Sequence, residues 1–220
     1  MSAEDTTAIK AISALRGLFP PAVAVAARSI ALDADAPEAI RRRHRRSGRL
    51  CAADALAVLA ISPTLREHPA PTWPSDAAGS ISHCEDLACA VAAQASQVVA
   101  LGVDIEAARP LIEGAELVCG DAELDHFDTL PPLPAGNWPL LTFSAKEAFY
   151  KCQYAVTGRL LDFRDFEIRF DIHAPATGRF TLRRTRPLPI PDHLDLDIEG
   201  RWAADRSHVY TAAWITRPAP

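Results

Sequence analysis

Asp104 and Glu106 stand two positions apart in Gly102-Val103-Asp104-Ile105-Glu106, alternating with aliphatic side chains. In an extended chain this alternation puts both carboxylates on one face and Val103 and Ile105 on the other. Oxygen ligands at i and i+2 on a rigid strand end suit a hard cation such as Mg²⁺, which keeps waters and takes further ligands from substrate phosphates. The same pattern also fits an ordinary solvated acidic strand end. A second cluster is Phe143-Ser144-Ala145-Lys146-Glu147-Ala148-Phe149-Tyr150-Lys151. On a helix, Glu147 and Lys151 lie one turn apart on the same face, as in a surface ion pair worth about 0.3–0.5 kcal/mol. Ser144 and Glu147 also fit an S-x-x-E capping box.

Two further stretches favour anions. Residues 41–49 hold six arginines, His44 and Gly48; as a helix they present positive charge on several faces to RNA, to a nucleotide-like cofactor or to solvent. Gly79-Ser80-Ile81-Ser82-His83 joins glycine, hydroxyls and an imidazole just before an apolar run. That composition matches an anion-binding loop and equally a hydrogen-bonded structural histidine. Lysine is used sparingly: Lys10, Lys146 and Lys151 are the three lysines among 23 cationic residues. Two of them flank Glu147, where a compact ammonium on a flexible stem differs in use from a planar guanidinium.

The elements that must position these groups follow from periodicity. Residues 4–17 read as a helix, 23–30 as a strand, and 38–60 as a long helix with Pro37 at its first turn. A Pro-, Ser- and Gly-rich loop over 62–79 leads to two strands, 87–93 and 98–105. Short acidic helices over 110–128 and a Pro-rich loop over 131–139 precede an amphipathic helix from about Thr142 to Val156, ended near Gly158. Four strands follow, at 166–172, 180–184, 194–198 and 209–215.

The chain of 220 residues is 49% hydrophobic, enough for one large or two small cores. No apolar run approaches the ~20 residues of a membrane span, and the first residues lack the order of a secretory signal, so a cytoplasmic protein is expected. The five cysteines are scattered, with no C-x-x-C spacing, and are expected to be buried thiols. A net charge of −5 argues against a surface devoted to nucleic acid.

Taken in order, the arginines of 41–49 with Leu50-Cys51-Ala52-Ala53-Asp54-Ala55-Leu56, then Trp73-Pro74, Gly79-Ser80-Ile81-Ser82-His83, Gly102-Val103-Asp104-Ile105-Glu106 and Phe143-Ser144-Ala145-Lys146-Glu147-Ala148 resemble the 4′-phosphopantetheinyl transferase superfamily. The likeness is to its monomeric surfactin and enterobactin-synthase (component D) type. The chain departs from the pattern at Phe143, where relatives usually carry Trp, and at His44-Arg45, where they often carry an acidic-aromatic pair. The resemblance implies an α/β (α+β) fold of two similar subdomains related by a pseudo-twofold axis, with the active site between them. The boundary falls before the Val98 strand, giving halves 1–97 and 98–220. It further implies that Asp104, Glu106 and Glu147 bind Mg²⁺, that Lys151 contacts the diphosphate, and that Ser82, His83, Arg42 and Arg49 hold coenzyme A. The implied reaction places phosphopantetheine on a serine of an acyl or peptidyl carrier protein and releases 3′,5′-ADP. Glu147 is the expected base, directly or through a water, and Leu111, Phe127 and Leu130 are expected to meet the carrier. A Mg²⁺-dependent phosphodiesterase or nucleotidyl transferase, or a polyanion-binding module without catalysis, are the competing readings.

Overall fold

The computed structural model describes residues 3–31, 36–63, 66–68, 70–191 and 198–217. Helix α1 (Ala3–Leu18) leads to strand β1 (Ala24–Ser29) and helix α2 (Pro37–Val58). A small hairpin of β2 (Arg66–His68) and β3 (Ala70–Thr72) precedes β4 (Ala77–His83) and β5 (Leu87–Gln94). These last two join β1 in an antiparallel sheet of order β1-β5-β4. The alternation of β5 divides two cores. Ala88, Ala90 and Ala92 face Cys51, Ala52, Ala55 and Leu56 of α2, while Leu87, Cys89, Val91 and Ala93 face Ala11, Leu15 and Leu18 of α1. Alanine on the α2 side lets the helix sit close to the sheet.

Strand β6 (Val98–Ala107) starts a second antiparallel sheet. After the short helices α3 (Ala115–Val118) and α4 (Asp121–Phe127) comes the long helix α5 (Trp138–Thr157). A 3₁₀ turn at Phe163–Asp165 opens β7 (Phe166–Ala174), followed by β8 (Thr177–Arg184), β9 (Glu199–Ala204) and β10 (His208–Thr216). The sheet order is β6-β10-β9-β8-β7. Helix α5 covers one face, packing Leu141, Ala145, Ala148 and Cys152 with Ile168, Phe180, Trp202 and Val209. The other face of β6 and β10 joins the α1 core through Leu101, Val103, Ile105, Tyr210 and Trp214. Helix α1 therefore lies across both sheets, with Phe19 against Trp214 at 5.6 Å between ring centroids.

The two sheets meet at their edges, β4 and β6, through side chains. Ser80 Oγ accepts from the Val103 amide at 3.1 Å and Ser82 Oγ from the Ile105 amide at 3.4 Å. Alternate amides of an edge strand point outward, and the hydroxyls of Ser80 and Ser82 meet them.

Several element limits differ from the expectation. The loop at 62–79 contains the β2–β3 hairpin, in which Pro71 is tolerated because a two-stranded hairpin leaves outward-facing amide positions. Helix α5 starts at Trp138, not Thr142: Asn137 Oδ1 caps it by accepting from the Leu140 amide at 3.0 Å, and Pro139 sits in the first turn, where a missing amide is harmless. The Ser144 capping box is therefore absent. Ser144 is mid-helix and buried, sharing a 2.8 Å hydrogen bond with Thr211 Oγ1 of β10. The strand expected at 194–198 falls almost wholly outside the described residues, and β9 has no counterpart in the sequence-based expectation.

Candidate active site

Gly102 decides how closely α5 meets β6. A Cβ at this position would stand 1.8 Å from the carbonyl oxygen of Ala148 and 2.9 Å from the amide of Cys152. The helix backbone thus rests directly on the strand, one residue pair from Asp104. Lys151 reaches across this contact, donating to Asp104 Oδ1 at 2.7 Å, Val103 O at 3.1 Å and Ser82 Oγ at 3.2 Å. Ser82 Oγ donates to the same Asp104 oxygen at 2.8 Å. The Glu147–Lys151 pair expected along the helix is replaced by this bond to the strand. Asp104 is 3% exposed, and its Oδ2 is buried with no partner among the described residues. Glu106 and Glu147 line the same cleft.

The cleft, about 1150 Å³, runs from these acids between β4 and α5 to the middle of α2. Gly48 brings α2 onto β4, since a Cβ there would lie 2.6 Å from Ile81 Cγ2. That approach sets His44 against His83, 4.9 Å between ring centroids, with Arg45 and Arg49 beside them on the cleft wall. Trp73 lies flat on Gly79, whose Cβ would be 2.4 Å from the indole. One end of the cleft is thus anionic and partly dehydrated, the other cationic and aromatic. Such a shape suits a ligand with a phosphorylated nucleotide at one end and a reacting phosphate at the other.

The sequence profile of the 4′-phosphopantetheinyl transferase superfamily matches residues 100–212, and that of the 4′-phosphopantetheinyl transferase N-terminal domain matches residues 32–93. The chain is 35% identical over 209 residues to 4′-phosphopantetheinyl transferase Svp of Streptomyces mobaraensis, covering 92% of this chain and 80% of the relative. It is 33% identical over 180 residues to 4′-phosphopantetheinyl transferase PptT of Mycobacterium tuberculosis, covering 78% of each. Enterobactin synthase component D of Salmonella austin is 35% identical over 113 residues, 50% of this chain and 47% of the relative. The chain belongs to the 4′-phosphopantetheinyl transferase superfamily. It is an enzyme that moves the phosphopantetheine arm of coenzyme A to carrier proteins.

Electrostatics in this transferase's cleft reflect the crowding of acids. Burial, with Asp104 and Glu147 nearby, pushes the Glu106 carboxyl up to about 8. Burial and Asp104 also raise Glu147, against the pull of Lys151. Burial opposes the charge of Lys151, but Asp104 and then Glu147 outweigh it and lift the ammonium above the usual lysine range. At the far end, burial, His44 and Lys151 lower His83, so its imidazole is a neutral hydrogen-bonding group near pH 7 unless an anion joins it.

The structure brings Ser82, His83, Arg49, Asp104, Glu106, Glu147 and Lys151 to one cleft, whereas Arg42 is exposed on α2 and outside its wall. Arg45, His44 and Trp73 line the cleft although the sequence alone does not assign them there. Their glycine partners, Gly48 and Gly79, are the signal that points to them. Ser82 is buried, its hydroxyl engaged by the seam. Leu111, Phe127 and Leu130, expected to meet the carrier, are partly buried and pack against the α5 core with one side. Among the described residues, the exposed large apolar side chains lining the cleft are Val99, Tyr154 and Leu160. Lys146 serves the scaffold instead of the cleft. Buried beside Glu123 at 2.9 Å, it also donates to the carbonyls of Val118 and Phe163, each at 2.8 Å. Glu123 in turn accepts from the amides of Gly120 and Ile168, so α3, α4 and β7 are tied to the residue beside Glu147. All five cysteines are buried and free. Among the described residues no helix is long and apolar enough to cross a membrane.

Proposed function

We propose that this transferase takes coenzyme A in the cleft between halves 1–97 and 98–220, moves the arm to a serine of an acyl or peptidyl carrier protein, and releases 3′,5′-ADP. The observation that carries the reading is the polarity of one continuous cleft. Buried carboxylates and Lys151 stand at one end, and His44, Arg45, Arg49 and His83 at the other. Arg49 and His83 hold the nucleotide end, with Arg42 further out. The likeness over part of its length to enterobactin synthase component D supports a carrier in nonribosomal peptide or siderophore assembly, and a monomer acting in the cytoplasm completes the proposal.

The donor set suits Mg²⁺. Asp104 offers a dehydrated, unpartnered oxygen, and two further carboxylates share its cleft, an arrangement that hard cations prefer and that mutual repulsion disfavours without one. The oxygens of the three acids do not yet lie within 4.8 Å of one another. Asp104, Glu106 and Glu147 would hold the ion, which when bound supplies charge neutralisation for the diphosphate. Lys151 adds a fixed positive charge, and its bond to Asp104 aims it at the same place. Phosphoryl transfer needs alignment and neutralisation more than covalent help. Glu147, on α5 at the cleft wall, takes the proton of the attacking serine hydroxyl, directly or through a water.

Intact-protein mass spectrometry of an apo carrier protein incubated with the chain, coenzyme A and Mg²⁺ tests this. One added phosphopantetheine with wild type and none with Asp104→Ala is the expected result. Unmodified carriers in a set that a reference transferase does modify would overturn it, as would full turnover by Asp104→Ala.

A further inference from the structure

Away from the acids, the turn joining β4 to β5 brings Cys84 and Asp86 to His208, the first residue of β10. Asp86 Oδ1 is 3.4 Å from Cys84 Sγ and 2.9 Å from His208 Nε2. One ligand atom from each residue lies within 4.8 Å of the others. We propose that Cys84, Asp86 and His208 form a binding site for a borderline transition metal of the Zn²⁺ class, which fastens the β4–β5 turn to β10.

The chemistry separates this site from the carboxylate cleft. A thiolate, an imidazole and a carboxylate select Zn²⁺, Co²⁺ or Cd²⁺, whereas an all-oxygen set selects Mg²⁺. Ligands at 2.0–2.3 Å around a tetrahedral ion stand about 3.3–3.8 Å apart, so small side-chain movements close the site. Two anionic ligands balance a dication, which matters because Cys84 is 7% and His208 2% exposed. The Asp86 side chain is 34% exposed, leaving a fourth position open to water. The surroundings are already fixed: the Cys84 amide donates to Leu87 O at 2.9 Å, and the His208 amide to Asp205 Oδ1 at 2.8 Å. Because the ligands come from both sheets, the ion would act as an inter-sheet staple. Because Cys84 follows His83, it would also hold that end of the cleft in place.

Co²⁺ alone is the probe, titrated into the full chain under phosphine reductant with Mg²⁺ in excess to occupy the acids. Stoichiometric binding with a near-ultraviolet thiolate-to-cobalt charge-transfer band is expected, since the carboxylate cleft has no sulfur to give one. The band should vanish in Cys84→Ser, and the affinity should fall at least about a hundredfold in His208→Gln. Zn²⁺ should raise the melting temperature of wild type and not that of Cys84→Ser. Absence of the band in wild type, or its persistence in Cys84→Ser, would overturn the site. Should Cys84→Ser fail to fold, Asp86→Asn decides: weakened cobalt binding supports the site and unchanged affinity removes it.

Discussion

Glu106 shows what the crowded acids do to the free protein. Its unfolded value is the ordinary 4.5 and its folded value about 8, driven by burial and by Asp104. Between these limits the folded chain holds a proton that the unfolded chain has released, so stability falls as pH rises from about 4.5 to about 8 and then levels off. Melting temperatures measured in chelator should trace that decline, and Glu106→Gln should flatten it. A curve that rises across the same window, or one unchanged by Glu106→Gln, would mean that Glu106 is ionised in the free fold. Lys146 makes a different point at this scale. The rarity of lysine singles it out in the sequence, but its partner Glu123 lies 23 positions away, beyond any periodicity. The pair exists only once α4 folds against α5.

Among the elements, the contact of α5 on β6 is the tightest near the cleft, and it depends on Gly102 lacking a side chain. Gly102→Ala sets a methyl group against helix backbone, which cannot rotate away as a side chain can. The expected loss is about 3 kcal/mol, read as a lower denaturation midpoint, together with loss of transfer activity as Asp104 separates from Lys151. Wild-type activity in Gly102→Ala would show that the helix can shift without disturbing the acids. Period-two alternation makes β6 and its paired acids legible, and the Gly158 terminator of α5 is legible too, with φ of 61°. The start of α5 is hidden because proline commonly breaks helices, yet in the first turn it breaks nothing. The S-x-x-E pattern misleads for a related reason: it recurs inside helices, where Ser144 turns instead to Thr211. Strand β9 escapes because Gly200 gives up its side chain to the face of Phe180, 2.5 Å from where a Cβ would sit, and so weakens the alternation.

At the scale of the whole molecule, the core under α1 is assembled from both ends of the chain. Leu15, Leu18 and Phe19 share it with Tyr210 and Trp214, and β10 also lies between β6 and β9. A chain ending at Ser207 keeps every candidate catalytic residue but leaves β6 unpaired and uncovers α1. Circular dichroism and solubility should report it as unfolded or aggregated, and a soluble truncated chain with a cooperative melt would show that the halves fold separately.

The same arrangement governs the order in which the protein can be made. Synthesis proceeds from the amino terminus, and segments rich in local contacts can fold as they emerge. Here α1 finds its complete surroundings only after β10 has left the ribosome, because Phe19 and Leu18 pack with Trp214 and Tyr210 of that strand. Until β10 emerges, the apolar side of α1 must wait or find a temporary cover.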